Sequence, residues 1–343
     1  MQAPIRWGII GCGNVTEVKS GPGFQLAEGS ELVAVMRRNG ALAEDYAKRH
    51  GVAKWYDSAA ALIDDPDVTA VYIATPPGTH REYALQVCAA GKPAYIEKPM
   101  ARNFAESLEV TEAFERAGVP LFVAYYRRAL PRFLKVKEIV DAGRLGRVTG
   151  VYVRHTSPAK RSPNWDNLPW RFQAEEAGGG LFLDLAAHTL DILDYILGAL
   201  HPVAGRAANN GGRYAVEDGI AMHFQTPNGA LGTAHWNFMG FAKEEIVIIE
   251  GAEGRVSFSV FGNEPVKLET EGGVEEFDLQ NPAHVQRPFI QTMVNALLGK
   301  GECASDGRTA MRTARVMDIA LQSYYGSRED AFWLRESEWG AKR

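Results

Sequence analysis

Two stretches of this chain hold residue types that could carry a reaction: Glu97-Lys98-Pro99, and Gly178-Gly179-Gly180-x-x-x-Asp184-x-x-x-His188. A lysine ammonium can polarise a hydroxyl or carbonyl oxygen. A neutral histidine can take the proton of an alcohol while a hydride leaves the carbon, and can return it in the reverse direction. Asp184 and His188 lie four apart, so on a helix they share a face, where the carboxylate can orient the ring and stabilise the imidazolium. The same spacing fits a surface ion pair or two satisfied groups at the edge of a core. A mononuclear metal site is a third use, but no further His, Cys or carboxylate has helpful spacing nearby, so no metal is expected.

A third stretch, Gly8-Ile-Ile-Gly11-Cys-Gly13-Asn14-Val15-Thr16, could bind a phosphate. Gly11 and Gly13 fit the first two glycines of G-x-G-x-x-G, which allow a tight turn and the close approach of a pyrophosphate. A helix N-terminus behind them offers free N–H groups to that phosphate, so Gly11, Gly13, Asn14 and Val15 are expected to contact a dinucleotide. Thr16 stands where a third Gly or Ala usually sits. A glycine turn also has purely structural uses, and Cys12 within it reads better as a small filler than as a redox sensor. Past the second strand the chain has Met36-Arg37-Arg38-Asn39, where an NAD site usually places an acid. Guanidinium groups suit a 2′-phosphate, so NADP(H) is expected over NAD(H), with a solvated basic pair as the alternative.

Positioning these residues requires alternating elements. Short apolar runs at 5–10, 31–36, 70–74, 93–96 and 120–124 read as buried parallel strands, and 41–50, 58–64, 80–90 and 104–117 have helical spacing. Such alternation implies right-handed crossovers and an α/β Rossmann domain over residues 1–123, with Glu97-Lys98-Pro99 at the C-terminal end of a strand, where open α/β sheets hold ligands. Past residue 124 the rhythm changes. A helix after Pro131, a strand at 148–155, a Pro- and Trp-rich loop and a helix at 181–197 precede six strand-like runs between 214 and 278, and helices at 282–298 and 306–325 close the chain. Residues 124–343 are therefore expected as an α+β domain with an open, mainly antiparallel sheet of five or six strands. Apolar residues on both alternations of GIAMHF and EIVII suit a sheet covered on both faces.

Composition limits the partners. At 343 residues two domains are natural, and a net charge of −5 argues against nucleic acid or an anionic membrane surface. No run approaches the roughly 20 apolar residues of a membrane span. The start, MQAPIRWGIIGCG, shows no basic leader, and three scattered cysteines fit a reducing compartment, so a cytoplasmic protein is expected.

Together the motifs resemble the glucose–fructose oxidoreductase, inositol dehydrogenase and rhizopine-catabolism family, Gfo/Idh/MocA. The likeness runs through the first glycine turn, Ala74-Thr75-Pro76-x-x-x-His80, Glu97-Lys98-Pro99, Arg127-Arg128, Trp170-Arg171 and the Asp184/His188 helix. It implies that Lys98 hydrogen-bonds the reacting oxygen near the nicotinamide and that His188 is the acid/base, assisted by Asp184. It also implies cofactor contacts from Thr75, Pro76, His80, Glu97, Trp170 and Arg171, and substrate contacts from Tyr126 and Arg127. His155, Trp165 and Trp236 could line the pocket, since sugar faces stack on aromatic rings, or could be core packing. The implied activity is reversible hydride transfer between NADP(H) and a secondary alcohol or carbonyl of a sugar or polyol, in a homodimer or homotetramer joined through the second domain's sheet. Oxidation of aromatic diols, reduction of biliverdin-like compounds and a sensor that binds dinucleotide without catalysis remain open, although a pure sensor needs no proton donor.

Overall fold

The computed structural model describes residues 3–159 and 168–340. It divides into two compact units that interleave along the chain. One comprises Met1–Ala101, Glu106–Leu130 and Asn281–Met311, and the other Arg102–Ala105, Pro131–Gln280 and Arg312–Arg343. The single cut expected after residue 123 is thus replaced by a division in which residues 281–311 return to the first unit.

The first unit contains a six-stranded parallel sheet of β1 (Ile5–Ile10), β2 (Ser30–Met36), β3 (Lys54–Tyr56), β4 (Ala70–Ile73), β5 (Ala94–Ile96) and β6 (Leu121–Val123), in the order β3-β2-β1-β4-β5-β6. Its helices include α1 (Asn14–Val18), α2 (Gly21–Leu26), α3 (Gly40–His50), α4 (Ala59–Asp64), α5 (His80–Ala89) and most of α6 (Phe104–Ala117). The edge strand β3 was not expected, because its three residues are only partly buried and carry no apolar run. Strand order reverses between β1 and β4, the switch point beyond whose carboxyl ends such sheets bind ligands. Local signals set the helices: Asn39 caps α3 by accepting from the Leu42 N–H, and Gly51 ends it in the left-handed conformation at φ 65°.

An aromatic row fills this unit's core. Tyr72 and Tyr95, directly paired across β4 and β5, stack with centroids 4.7 Å apart. Phe24 of α2 covers them from one helix, and Phe289 of α10 (Arg287–Leu297) lies 5.8 Å from Tyr95.

The second unit contains α7 (Pro131–Asp141), β7 (Val148–Pro158), α8 (Ala174–Ala177), α9 (Leu181–Leu197), β8 (His201–Ala208), β9 (Gly219–Gln225), β10 (Leu231–Gly240), β11 (Glu244–Gly251), β12 (Gly254–Phe258), β13 (Val266–Thr270), β14 (Gly273–Phe277) and most of α11 (Gly307–Tyr325). Eight strands, in place of the five or six expected, run β14-β13-β12-β11-β7-β10-β9-β8. All neighbours are antiparallel except β7 and β10. A parallel pair needs a long crossover, which the chain from α8 to β9 supplies. The missed strand, β8, is a mostly exposed edge with a weak apolar pattern.

One face of this sheet is core. Val151, Val153, Ala234, Trp236, Val247 and Ile249 are buried on it. Trp236 meets Phe182 of α9 edge-on at 5.0 Å, and Phe258 meets Phe133 of α7 at 6.1 Å. On the opposite face Tyr152 and Leu231 are 50% and 65% exposed.

Candidate active site

The first turn follows β1. Gly11 and Cys12 both donate backbone N–H bonds to the Met36 carbonyl, at 2.9 and 3.1 Å, which closes the turn onto the end of β2. Gly11 has φ 91°, and a Cβ there would lie 2.7 Å from the Thr75 methyl, so this glycine is required by φ and by packing. Gly13 differs. A Cβ at Gly13 would meet nothing nearer than the Gly11 carbonyl oxygen at 3.8 Å, so protein packing leaves open the space a pyrophosphate would need.

Thr16 explains its own departure from the glycine pattern. Its Oγ1 accepts from the Gly13 N–H at 3.0 Å and donates to the Gly13 carbonyl at 2.8 Å, capping α1 from within. The chain then breaks at Ser20 into two short helices instead of one continuous helix. Arg37 and Arg38 are exposed beyond β2. Burial pushes the Cys12 thiol up to about 11, against the opposing pull of Arg37, which makes it an unreactive filler.

The lysine turn follows β5. Glu97 is buried, and its carboxylate accepts from the Tyr72 hydroxyl at 2.6 Å, the Gln286 Nε2 at 2.7 Å and the Lys98 N–H at 3.2 Å. Glu97 was expected among the cofactor contacts; the structure directs its carboxylate into the protein beneath Lys98. His80 is likewise turned inward and fully buried, with Nε2 2.7 Å from the Thr75 carbonyl and Nδ1 3.0 Å from the Pro99 carbonyl. Burial holds its pKa below the ordinary histidine value, so the neutral ring donates to one of these oxygens at a time. His80 thus lies between the Thr75-Pro76 turn and the Lys98-Pro99 turn. Past β6, Arg127 donates to the Tyr126 hydroxyl at 3.2 Å, and both side chains are buried.

In the second unit, His188 lies on α9 and is buried. Its ring meets Phe261 edge-on at 6.1 Å, and His155 of β7 meets the same phenyl ring at 5.6 Å. Burial, helped by the Lys243 charge, pulls His155 down to about 4, so its ring is neutral at neutral pH. Trp236 is fully buried against Phe182 and serves packing; Trp165 lies outside the described residues. One turn before His188, Asp184 accepts from Arg171 Nε at 3.0 Å, and that guanidinium lies 4.2 Å over the Trp170 ring.

The three glycines before α9 answer to tertiary neighbours. A Cβ at Gly178 would lie 2.3 Å from the Arg102 carbonyl oxygen, and one at Gly180 would lie 2.3 Å from that of Glu217. Buried Glu217 accepts the Gly180 N–H at 2.9 Å and is held by the Tyr325 hydroxyl, which places a carboxyl group at the start of α9. Arg328 donates to the carbonyls of Gly178 and Arg102, both at 2.8 Å. Sequence reading missed Glu217, Tyr325, Arg328, Gln286 and Phe261. Each is far in sequence from what it supports, and no local spacing marks them.

Residues 5–125 match the family model described as an oxidoreductase family with an NAD-binding Rossmann fold, and residues 133–263 match the GFO/IDH/MocA C-terminal domain. An oxidoreductase from Formosa agariphila is 38% identical over 326 residues, covering 93% of this chain and 99% of its own. A 1,5-anhydro-D-fructose reductase from Ensifer adhaerens is 29% identical over 308 residues, covering 88% and 91%. Among solved structures, a levoglucosan dehydrogenase in complex with NADH and levoglucosan superposes with a TM-score of 0.82 at 23% identity, covering 95% and 98%, a likeness of fold. Fold and motifs together define an oxidoreductase with a nicotinamide-dinucleotide Rossmann unit. The chain belongs to the Gfo/Idh/MocA family.

Proposed function

We propose that this enzyme transfers a hydride between NADP(H) and a secondary alcohol or carbonyl of a sugar, polyol or related compound. The observation that carries the reading is the pairing of an open cradle at Gly13, past β1, with Lys98, past β5 of the same sheet, whose backbone N–H is held by a buried carboxylate. The anhydro-sugar relatives support the substrate class. Gly11, Gly13, Asn14 and Val15 would hold the pyrophosphate, and Arg37 and Arg38 the 2′-phosphate. Thr75 and Pro76, with Trp170 and Arg171, would complete the cofactor contacts. A bound nicotinamide supplies the hydride donor or acceptor. Lys98 polarises the reacting oxygen, His188 exchanges its proton with Asp184 assisting, and Tyr126, Arg127 and His155 meet the substrate. The exposed face of the eight-stranded sheet is covered by a second copy of the chain.

The test is a panel of anhydro-sugars, inositols, ketoses and an aromatic trans-dihydrodiol, assayed with NADPH and NADH and their oxidised forms. Turnover of an anhydro-sugar, ketose or inositol with tighter NADPH than NADH binding is expected. His188→Ala should lower kcat by roughly 10²–10⁴-fold and remove one limb of the pH–rate profile. Equal or tighter NADH binding overturns the cofactor preference, activity on the diol alone overturns the substrate class, and an unchanged His188→Ala profile moves the proton to another group.

A further inference from the structure

We propose that Gln286, contributed by the segment that returns to the first unit near the end of the chain, is a positioning residue for Lys98. It rests on the reading of Lys98 as the group beside the nicotinamide. Gln286 is fully buried. Its Nε2 donates to Glu97 Oε1 at 2.7 Å, and its Oε1 accepts from the Tyr95 hydroxyl at 2.7 Å. These two contacts fix the amide, because the flipped rotamer would set an oxygen against the Glu97 carboxylate. The same Oε1 of Glu97 accepts from Tyr72, while its Oε2 takes the backbone N–H of Lys98.

The backbone around Gln286 is equally fixed. Its N–H donates to the Lys19 carbonyl at 3.1 Å, just past α1, and the neighbouring His284 Nδ1 lies 2.6 Å from the Val18 carbonyl. One residue thus ties the far end of the nucleotide turn's helix to the carboxylate beneath the lysine. Tyr72 and Tyr95, stacked on adjacent strands, hold the other sides of the network, and burial raises both phenols well above their ordinary range, so they remain donors. A group that only filled space here could be apolar. A two-sided amide at this point orients the Glu97 carboxylate, and through it the peptide that carries Lys98.

The experiment compares wild type, Lys98→Met, Gln286→Leu, Gln286→Glu and Tyr95→Phe, each loaded with NADPH. The emission maximum of the bound reduced nicotinamide reports charge near the ring. Lys98→Met should displace it, and Gln286→Leu should displace it in the same direction while NADPH affinity is largely kept. Gln286→Glu should resemble wild type at acid pH, where its carboxylic O–H can donate to Glu97, and Gln286→Leu at alkaline pH, where two carboxylates face each other. Tyr95→Phe keeps the amide and should give a smaller shift, and it serves if Gln286→Leu does not fold. With a substrate from the panel, Gln286→Leu should lower kcat by roughly tenfold with little change in KM. A shift in Lys98→Met without one in the Gln286 and Tyr95 variants overturns the positioning role. No shift even in Lys98→Met overturns the placement of Lys98 itself, and the positioning role with it.

Discussion

Two buried histidines, His188 and His155, share the Phe261 ring. His188 sits on the helix face that the Asp-x-x-x-His spacing marked. His155 is held neutral, its pKa lowered from 6.5 to about 4 first by burial and then by Lys243. A histidine whose folded pKa is depressed contributes stability that is full above its unfolded value. That contribution is lost as pH falls from 6.5 toward about 4, where the unfolded chain binds a proton the folded one refuses. His155→Phe keeps a ring between Phe238 and Phe261 but removes the titration. In urea denaturation, wild type should therefore lose up to roughly 3 kcal/mol more than the variant between pH 7 and pH 4. Parallel losses in both proteins would show that His155 is not the group that titrates.

Among the elements, two glycine-containing turns that look alike in sequence differ in what surrounds them. Gly180 precedes α9 with an ordinary φ of −86°, so its constraint is steric: a Cβ would press on the Glu217 carbonyl oxygen 2.3 Å away. Gly180→Ala must displace the start of α9 and should cost about 1–3 kcal/mol, as overpacking does, read as a lower denaturation midpoint. Gly13 has extended φ, and its Cβ would touch nothing nearer than 3.8 Å. Gly13→Ala should leave the midpoint unchanged and weaken NADPH binding in a fluorescence titration. If Gly13→Ala unfolds the protein instead, or binds NADPH as wild type does, the cradle is not a phosphate site.

At the scale of the whole molecule, the eight-stranded sheet has a helix-covered face and an open one. Cross-strand pairing places Ile248, Tyr152, Thr233 and His223 in one row on the open face, with Leu231 exposed nearby. Tyr152 and Leu231, exposed on one open sheet face, suit a self-complementary contact between two copies related by a two-fold axis. Light scattering should find a dimer or tetramer, and Tyr152→Glu should shift it toward monomer without changing the far-UV spectrum. A monomeric wild type, or an assembly indifferent to Tyr152→Glu, would sink this arrangement.

Reading along the chain is enough for the parallel α/β order of the first half, for the long helices, for Gly11 and Lys98 just past the ends of strands, and for His188 within the helix at 181–197. These follow from periodicity and from turn chemistry, which act over a few residues. Strands β3 and β8 escaped it because edge strands need little apolar patterning when only one side is paired. The interleaving of the units, the inward turn of Glu97 and His80, and the supports supplied by Gln286, Glu217 and Arg328 emerge only in the folded chain. A buried carboxylate or amide takes its meaning from partners that folding brings together: Gln286 lies 189 residues from Glu97. The physics that selects such partners, satisfaction of buried polar groups, leaves no periodic trace along the chain.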